Sequence, residues 1–221
     1  LLFIDTPEAL SADVTPLLNE YFPAYFLIIV ATYLSAFVLR RNRDSLYTQE
    51  QYLFPVFLTA ANVFLTIAVP VQVGGQWITV TWAVEAAALM WLSFRLGLLE
   101  LRLFSLGVLA AMALRLVAFD TPDARAADVT PFLNEYFPAY LASIAATYVS
   151  AYLVQHKRDS LLPQEQYLFR VLLTAGNSLL TLTLFVQLDG AGITIAWAVE
   201  ALGLMWLSFR LGLPELRLFS L

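Results

Sequence analysis

Apolar residues along this chain come in long runs rather than in alternation, and each run is about as long as a bilayer is thick. A helix rises ~1.5 Å per residue, so about 20 apolar residues carry it across ~30 Å of hydrocarbon. The first run extends from Pro16 to Leu39, with Thr15 placed to cap it, Pro16 at its first helical position, and Arg40, Arg41 and Arg43 ending it. The second goes from Tyr52 to Val71 and stops before Gly74-Gly75. The third goes from Ile78 to Leu96 and closes on Gly97, and the fourth from Leu103 to Phe119, ended by Asp120-Thr121-Pro122. Three more follow at Phe132–Val154, Tyr167–Gln187 and Ile193–Leu211. The pattern predicts seven complete spans, with the remnant of an earlier one in the first few residues.

The order of segments returns because the sequence repeats. Shifted by 115 residues, the chain aligns with itself without a gap, and 68 of the 106 overlapping positions are identical. Asn19-Glu20-Tyr21-Phe22-Pro23 falls on Asn134-Glu135-Tyr136-Phe137-Pro138, and Trp82-Ala83-Val84-Glu85-Ala86 on Trp197-Ala198-Val199-Glu200-Ala201. This reads as a tandem duplication, and such repeats decide the fold before single elements do. Residues 1–115 form a first four-span unit and residues 116–221 a second, truncated after three spans. Leu1 stands where a start Met would, and Leu221 stops inside a pattern that earlier leads into another helix, so the chain is read as a piece of a longer polypeptide.

Composition fits no soluble enzyme fold: 60% of residues are hydrophobic, 13% are charged and the mean hydropathy is +0.74. With 0 Cys, disulfides, zinc–thiolate sites and iron–sulfur clusters are excluded. A net charge of -5 and a pI near 4.8 argue against nucleic acid as a partner. Membrane lipid and other membrane-protein subunits are the partners this composition suggests.

Loop charge gives the expected orientation. Arg and Lys cluster after the first span of each unit (Arg40, Arg41, Arg43; Lys157, Arg158) and after the third (Arg95, Arg102; Arg210, Arg217). The alternate loops carry Asp5, Glu8 and Asp13, then Asp120, Asp123 and Asp128. Basic loops face the cytoplasm, so the loops near Arg41 and Arg95 are placed there. Four spans is an even number, so successive units enter from one side and are parallel repeats rather than inverted ones.

Polar side chains inside the spans each need a reason, because hydrocarbon solvates them poorly. Glu85, Asn62 and Thr32 beside Tyr33 fall at similar depths on three helices, and their counterparts are Glu200, Asn177 and Thr147 beside Tyr148. Arg115, near the outer end of the fourth span, is placed to reach Glu85 or Glu135. Two readings stand. In one, the Glu lines a polar cavity and couples to a proton or substrate. In the other it is neutral or paired with Arg, hydrogen-bonded to Asn62, and holds the bundle together. At the outer mouth Glu20, Tyr21, Glu135 and Tyr136 are candidates for headgroup or glycan contact or for plain interface anchoring, and Pro23 is placed to kink its helix. Trp82, Trp91, Trp197 and Trp206 read as interface or packing residues, and Gln49-Glu50-Gln51 and Gln164-Glu165-Gln166 as a cytoplasmic turn with an acidic first helical turn.

Absent motifs narrow the chemistry. The one His, His156, lies in a loop, which leaves haem and similar cofactors without ligands. No Ser–His–Asp set, HExxH helix or Walker loop occurs. The expectation is no cofactor, no metal and no catalytic residue.

The stretch Trp82-Ala83-Val84-Glu85-Ala86…Leu92…Gly97…Leu101-Arg102…Gly107…Leu114-Arg115…Asp120 resembles an uncharacterised bacterial family of long, many-span predicted membrane proteins, a domain of unknown function. The Leu18-Asn19…Phe22 and Glu50-Gln51-Tyr52 span starts are similar too. The resemblance implies a bacterial inner-membrane protein and no particular reaction. The chain thus reads as an all-α integral membrane protein, a polytopic bundle of tandem parallel four-helix repeats. Its leading role is a non-enzymatic scaffold or subunit of a cell-envelope assembly, the alternative a transporter or lipid/glycan-handling protein that uses its intramembrane Glu residues.

Overall fold

A computed structural model of the chain describes residues 21–42, 47, 50, 52–126, 130–158 and 161–211. The expected cap at Thr15, the start at Pro16, the remnant span and Glu20 lie outside these residues. Within them all regular structure is helical: α1 (Tyr21–Arg41), α2 (Leu53–Gln72), α3 (Trp77–Leu96), α4 (Leu99–Arg115), α5 (Thr121–Ala126), α6 (Phe137–His156), α7 (Leu168–Gln187) and α8 (Ala191–Leu211). A π turn, Leu116–Asp120, joins α4 to α5, so the two make one 28-residue segment. Among the described residues seven helical segments are long and apolar enough to cross a membrane, the number expected. Helices form here because hydrocarbon offers the backbone no hydrogen-bonding partner, and only a helix satisfies every amide within its own segment.

Two boundaries differ from expectation, for local reasons. Asp120-Thr121-Pro122 does not end the fourth span. Pro122 lacks the amide that would continue the ladder, and the chain widens into the π turn just before it. There both the amide and the hydroxyl of Thr121 bond to the Leu116 carbonyl. The fifth span starts at Phe137 rather than Phe132, whose backbone is left-handed at φ 60°. Asn134 supplies the cap instead, its Oδ1 accepting the amides of Tyr136 and Phe137. Pro138 then lies in the first helical turn, where a missing amide costs nothing. Pro23 likewise lies in the first turn described of α1, which continues as helix to Arg41.

Packing is organised in antiparallel hairpins, α1 with α2, α3 with α4 and α6 with α7. The second and third hairpins are joined by α3 lying along α6. Helices α1 and α8 are outermost, with only 11% and 12% of their apolar windows buried. Small side chains fill the closest contacts. Ala61, Ala83, Ala86, Ala139, Ser93, Ser105, Ser143 and Ser150 are all buried, and Ser105 donates to the Ala86 carbonyl at 2.7 Å. Without a hydrophobic drive between helices in lipid, such close backbone approach supplies the dispersion contacts that hold them. Gly97, at φ 67°, ends α3, and the Leu98 amide turns back to the Ser93 carbonyl at 3.0 Å.

At the basic-loop end Glu165 lies in a short helical turn, Pro163–Glu165, as expected, but is not open to solvent. Its carboxylate is buried and pairs with Arg102 of α4 at 2.5 Å, and also accepts the Leu162 amide at 2.8 Å. The Arg102 guanidinium lies 4.2 Å from the centre of the Phe94 ring. This pair ties the α3–α4 hairpin to the turn that opens α7. Removing one partner strands the other charge, so Glu165→Ala is expected to cost about 3–5 kcal/mol, while Arg102→Met combined with Glu165→Leu recovers most of it. Unfolding of the purified variants in mixed micelles measures both.

Candidate functional site

A chain of hydrogen bonds crosses three helices at mid-span. On α1, the Tyr33 hydroxyl donates to Asn62 Oδ1 of α2 at 2.9 Å. Asn62 is completely buried, and its amide nitrogen donates to the Leu58 carbonyl at 2.7 Å. One turn further along α2, Thr66 Oγ1 lies 2.7 Å from Glu85 Oε1 of α3 and 2.9 Å from the Asn62 carbonyl. The Trp82 indole, on the same face of α3 as Glu85, donates to the Thr66 carbonyl at 3.1 Å. The i, i+4 spacing of Asn62 and Thr66 and the i, i+3 spacing of Trp82 and Glu85 put each pair on one helix face, which is why two helices suffice to close the network. Glu85 is 9% exposed, and its second oxygen, Oε2, has no partner.

Three of these bonds recur 115 positions later, while Asn177 Nδ2 is buried without the carbonyl partner that Asn62 has in Leu58. Tyr148 donates to Asn177 at 2.6 Å, and Thr181 Oγ1 lies 2.8 Å from Glu200 and 3.1 Å from the Asn177 carbonyl. The second set is looser at its α8 end. Glu200 is half-buried, and Trp197, stacked on Phe185, is 43% exposed. Gly176 stands where the first set has Ala61, and a Cβ there would come within 3.1 Å of the Tyr148 ring. Glycine at this one position lets the tyrosine lie close over α7.

The other expected residues fall elsewhere. Thr32 and Thr147 are not in the network; each bonds to a carbonyl of its own helix, Ile28 and Ser143. Tyr33 and Tyr148, one residue and ~100° further round, face the asparagine instead. Thr66 and Thr181 stand between Asn and Glu, where a direct bond was expected. Arg115 reaches neither Glu85 nor Glu135: it donates to the Gly75 carbonyl at 2.9 Å and lies 3.8 Å from Asp120. Asp120 is buried at 2% exposure and accepts the Thr79 hydroxyl of α3. Beside it the Thr121 and Tyr140 hydroxyls share a bond at 2.9 Å, which links the start of α5 to α6. At the mouth of α6, Glu135 is exposed and Tyr136 half-buried. The stronger contact there is Asn134 Nδ2 to Gln187 Oε1 of α7 at 2.7 Å. The side chain of Tyr21 lies outside the described set. Trp91 and Trp206 each sit under the arginine one turn on, Arg95 at 5.1 Å and Arg210 at 5.0 Å from the ring centre.

Two apolar grooves flank the Thr66–Glu85 bond. One, about 330 Å³, is lined by Leu65, Val69, Val84, Glu85, Ala88 and Leu92 between α2 and α3. The other, about 560 Å³, is lined by Thr59, Thr66, Leu103, Phe104, Gly107 and Ala111 between α2 and α4. Among the described residues no three His, Asp or Glu side chains gather as a metal ion would need. No family model, curated protein or solved structure matches the chain.

The network makes a graded prediction. An interhelical hydrogen bond in a membrane protein is worth about 0.6 kcal/mol on average and about 1.7 at most. Tyr33→Phe removes one bond from an asparagine that keeps its Leu58 contact, and is expected near the lower figure. Thr66→Val removes the hydroxyl that bonds to Glu85 Oε1 and is expected to cost more. Reversible unfolding in bicelles ranks the two, and equal or inverted costs would contradict the network.

Proposed function

We propose that the protein is a non-enzymatic polytopic protein of a bacterial inner membrane, a scaffold or subunit of a cell-envelope assembly built from tandem parallel four-helix repeats. In this reading the loops near Arg41 and Arg95 face the cytoplasm. The observation that carries it is the use made of the polar side chains. Tyr33, Asn62, Thr66 and Glu85, and their counterparts to Glu200, bond to one another across helices. Such bonds fix register and rotation in a bundle that apolar packing alone leaves free to slide. Among the described residues neither glutamate shares its contact with a basic residue or a second carboxylate, which an acid–base pair would use.

One observation favours a second reading, a transporter or lipid/glycan-handling protein. Glu85 keeps one oxygen unpartnered and lines a groove of about 330 Å³. A carboxylate with a spare acceptor beside an open groove is where a proton or a headgroup donor would bind.

Replacing both glutamates separates the two. Gln still accepts the threonine hydroxyl through its carbonyl, so Glu85→Gln with Glu200→Gln is expected to fold and to melt within a few degrees of the parent. Under the scaffold reading, proton flux into proteoliposomes, followed with an entrapped pH dye, stays at the level of empty vesicles in both proteins. A pH-dependent flux in the parent that the double variant loses would replace the scaffold by the transporter.

A further inference from the structure

At the basic-loop end, the bend between α6 and α7 holds a small cavity of about 70 Å³. Arg158, just beyond the end of α6, and Arg170, in the first turn of α7, both line it. Gln155 and Gln166 add amide groups, and Leu161 and Phe169 form an apolar wall. A water molecule's share of liquid volume is about 30 Å³, so the space suits an oxyanion of a few heavy atoms and no acyl chain. Helix α7 starts here with neither a side-chain cap nor an acidic residue in its first turn, which leaves its positive end unneutralised. Among the described residues no carboxylate pairs with Arg158. Glu165, the described acid of this bend, is held by Arg102 of α4. Lys157 adds a third cation, so the bend stays cationic even with Asp159, outside the described residues, counted against it.

We propose that this cavity binds the phosphate of an anionic phospholipid headgroup. Arg158 and Arg170 come from the two helix ends and donate to the phosphate oxygens, which the planar guanidinium fork matches better than an ammonium does. Arg170 keeps the contact it already makes, because a guanidinium carries five N–H donors. The two glutamines supply neutral donors, and the open end of α7 adds its partial positive charge. Depth selects a lipid over a free ion. The cavity lies between the ends of two spans, where headgroups stand, and half-buried Leu161 and Phe169 offer the glycerol end an apolar surface. Basic pockets between spans on the cytoplasmic side take anionic headgroups for these reasons, and the orientation proposed above puts this one in that leaflet. The repeat sharpens the assignment. The first unit has Pro55 where the second has Arg170, so its α1–α2 bend lacks one of the two arms. The site serves a scaffold and a transporter equally, so it does not depend on which of the two readings holds.

The test titrates the full chain in mild detergent with phosphatidylglycerol or phosphatidylcholine and counts the lipids retained on the 24.7 kDa protein by native mass spectrometry. Phosphatidylglycerol is expected to show one molecule held more tightly than any that follow, and phosphatidylcholine none. Arg158→Ala and Arg170→Ala are each expected to weaken that first molecule about tenfold, the loss of one charge-assisted bond. Lys157 stands in the same bend without lining the cavity, so Lys157→Ala is expected to weaken it less than about threefold. All three side chains are on the surface, so helix content and melting are expected to stay parental. Inorganic phosphate at the lipid's own concentration is expected to leave the first molecule in place. Equal retention of the two lipids, or an equal loss from all three substitutions, would reduce the bend to diffuse surface charge and overturn the proposal. Displacement by inorganic phosphate would overturn it too, by assigning the cavity to a free ion.

Discussion

Hydrocarbon cannot hydrogen-bond, and the other features of this molecule follow from that constraint. It requires the backbone to be helical across each apolar run, and it makes any polar side chain within a run seek another protein atom. Tyr33, Asn62, Thr66 and Glu85 do so by meeting at one depth on three helices. Asp120 does so from a π turn that lets the chain pass Pro122 and still reach Thr79. Ser93 and Ser143 turn back to carbonyls of their own helices, and Ser105 reaches across to a neighbour. What holds the bundle is therefore a set of short-range, geometrically specific contacts between small and polar residues, with lipid supplying the surrounding apolar phase.

The number and type of spans were legible because length and hydropathy alone decide whether a helix crosses a bilayer, and neither depends on neighbours. The ends were less legible. Asp120-Thr121-Pro122 carries the composition of a helix stop, and only the widened turn and the buried Thr79 contact let it act otherwise. At Phe132 the expected start lost to the cap at Asn134, which becomes visible once Gln187 of α7 holds that residue in place. Such outcomes turn on partners distant in sequence.

The candidate network was legible by residue type and depth but not by rotation. Asn62 and Glu85 stand out in an apolar run, whereas Thr66 does not, since threonine commonly bonds to its own helix, as Thr32 does. One signal was present: Thr66 is one turn from Asn62, and the pair recurs as Asn177 and Thr181. Arg102 and Glu165 were hidden differently. Each lies at a span end where charge is ordinary, and nothing local marks that hairpin packing will bring them together out of water.

The account depends most on alternate threading of these helices through lipid. The chain has 0 Cys, so single introduced cysteines report sidedness without background. Asn42→Cys, Gly74→Cys, Lys157→Cys and Asp189→Cys lie in successive or equivalent turns between helices and are all on the surface. Labelled with a membrane-impermeant maleimide in sealed vesicles of known orientation, positions 42 and 157 are expected to react from one face and positions 74 and 189 from the other. Reaction of 42 and 74 from a common face would contradict the threading, and with it the placement of every polar contact described at mid-span.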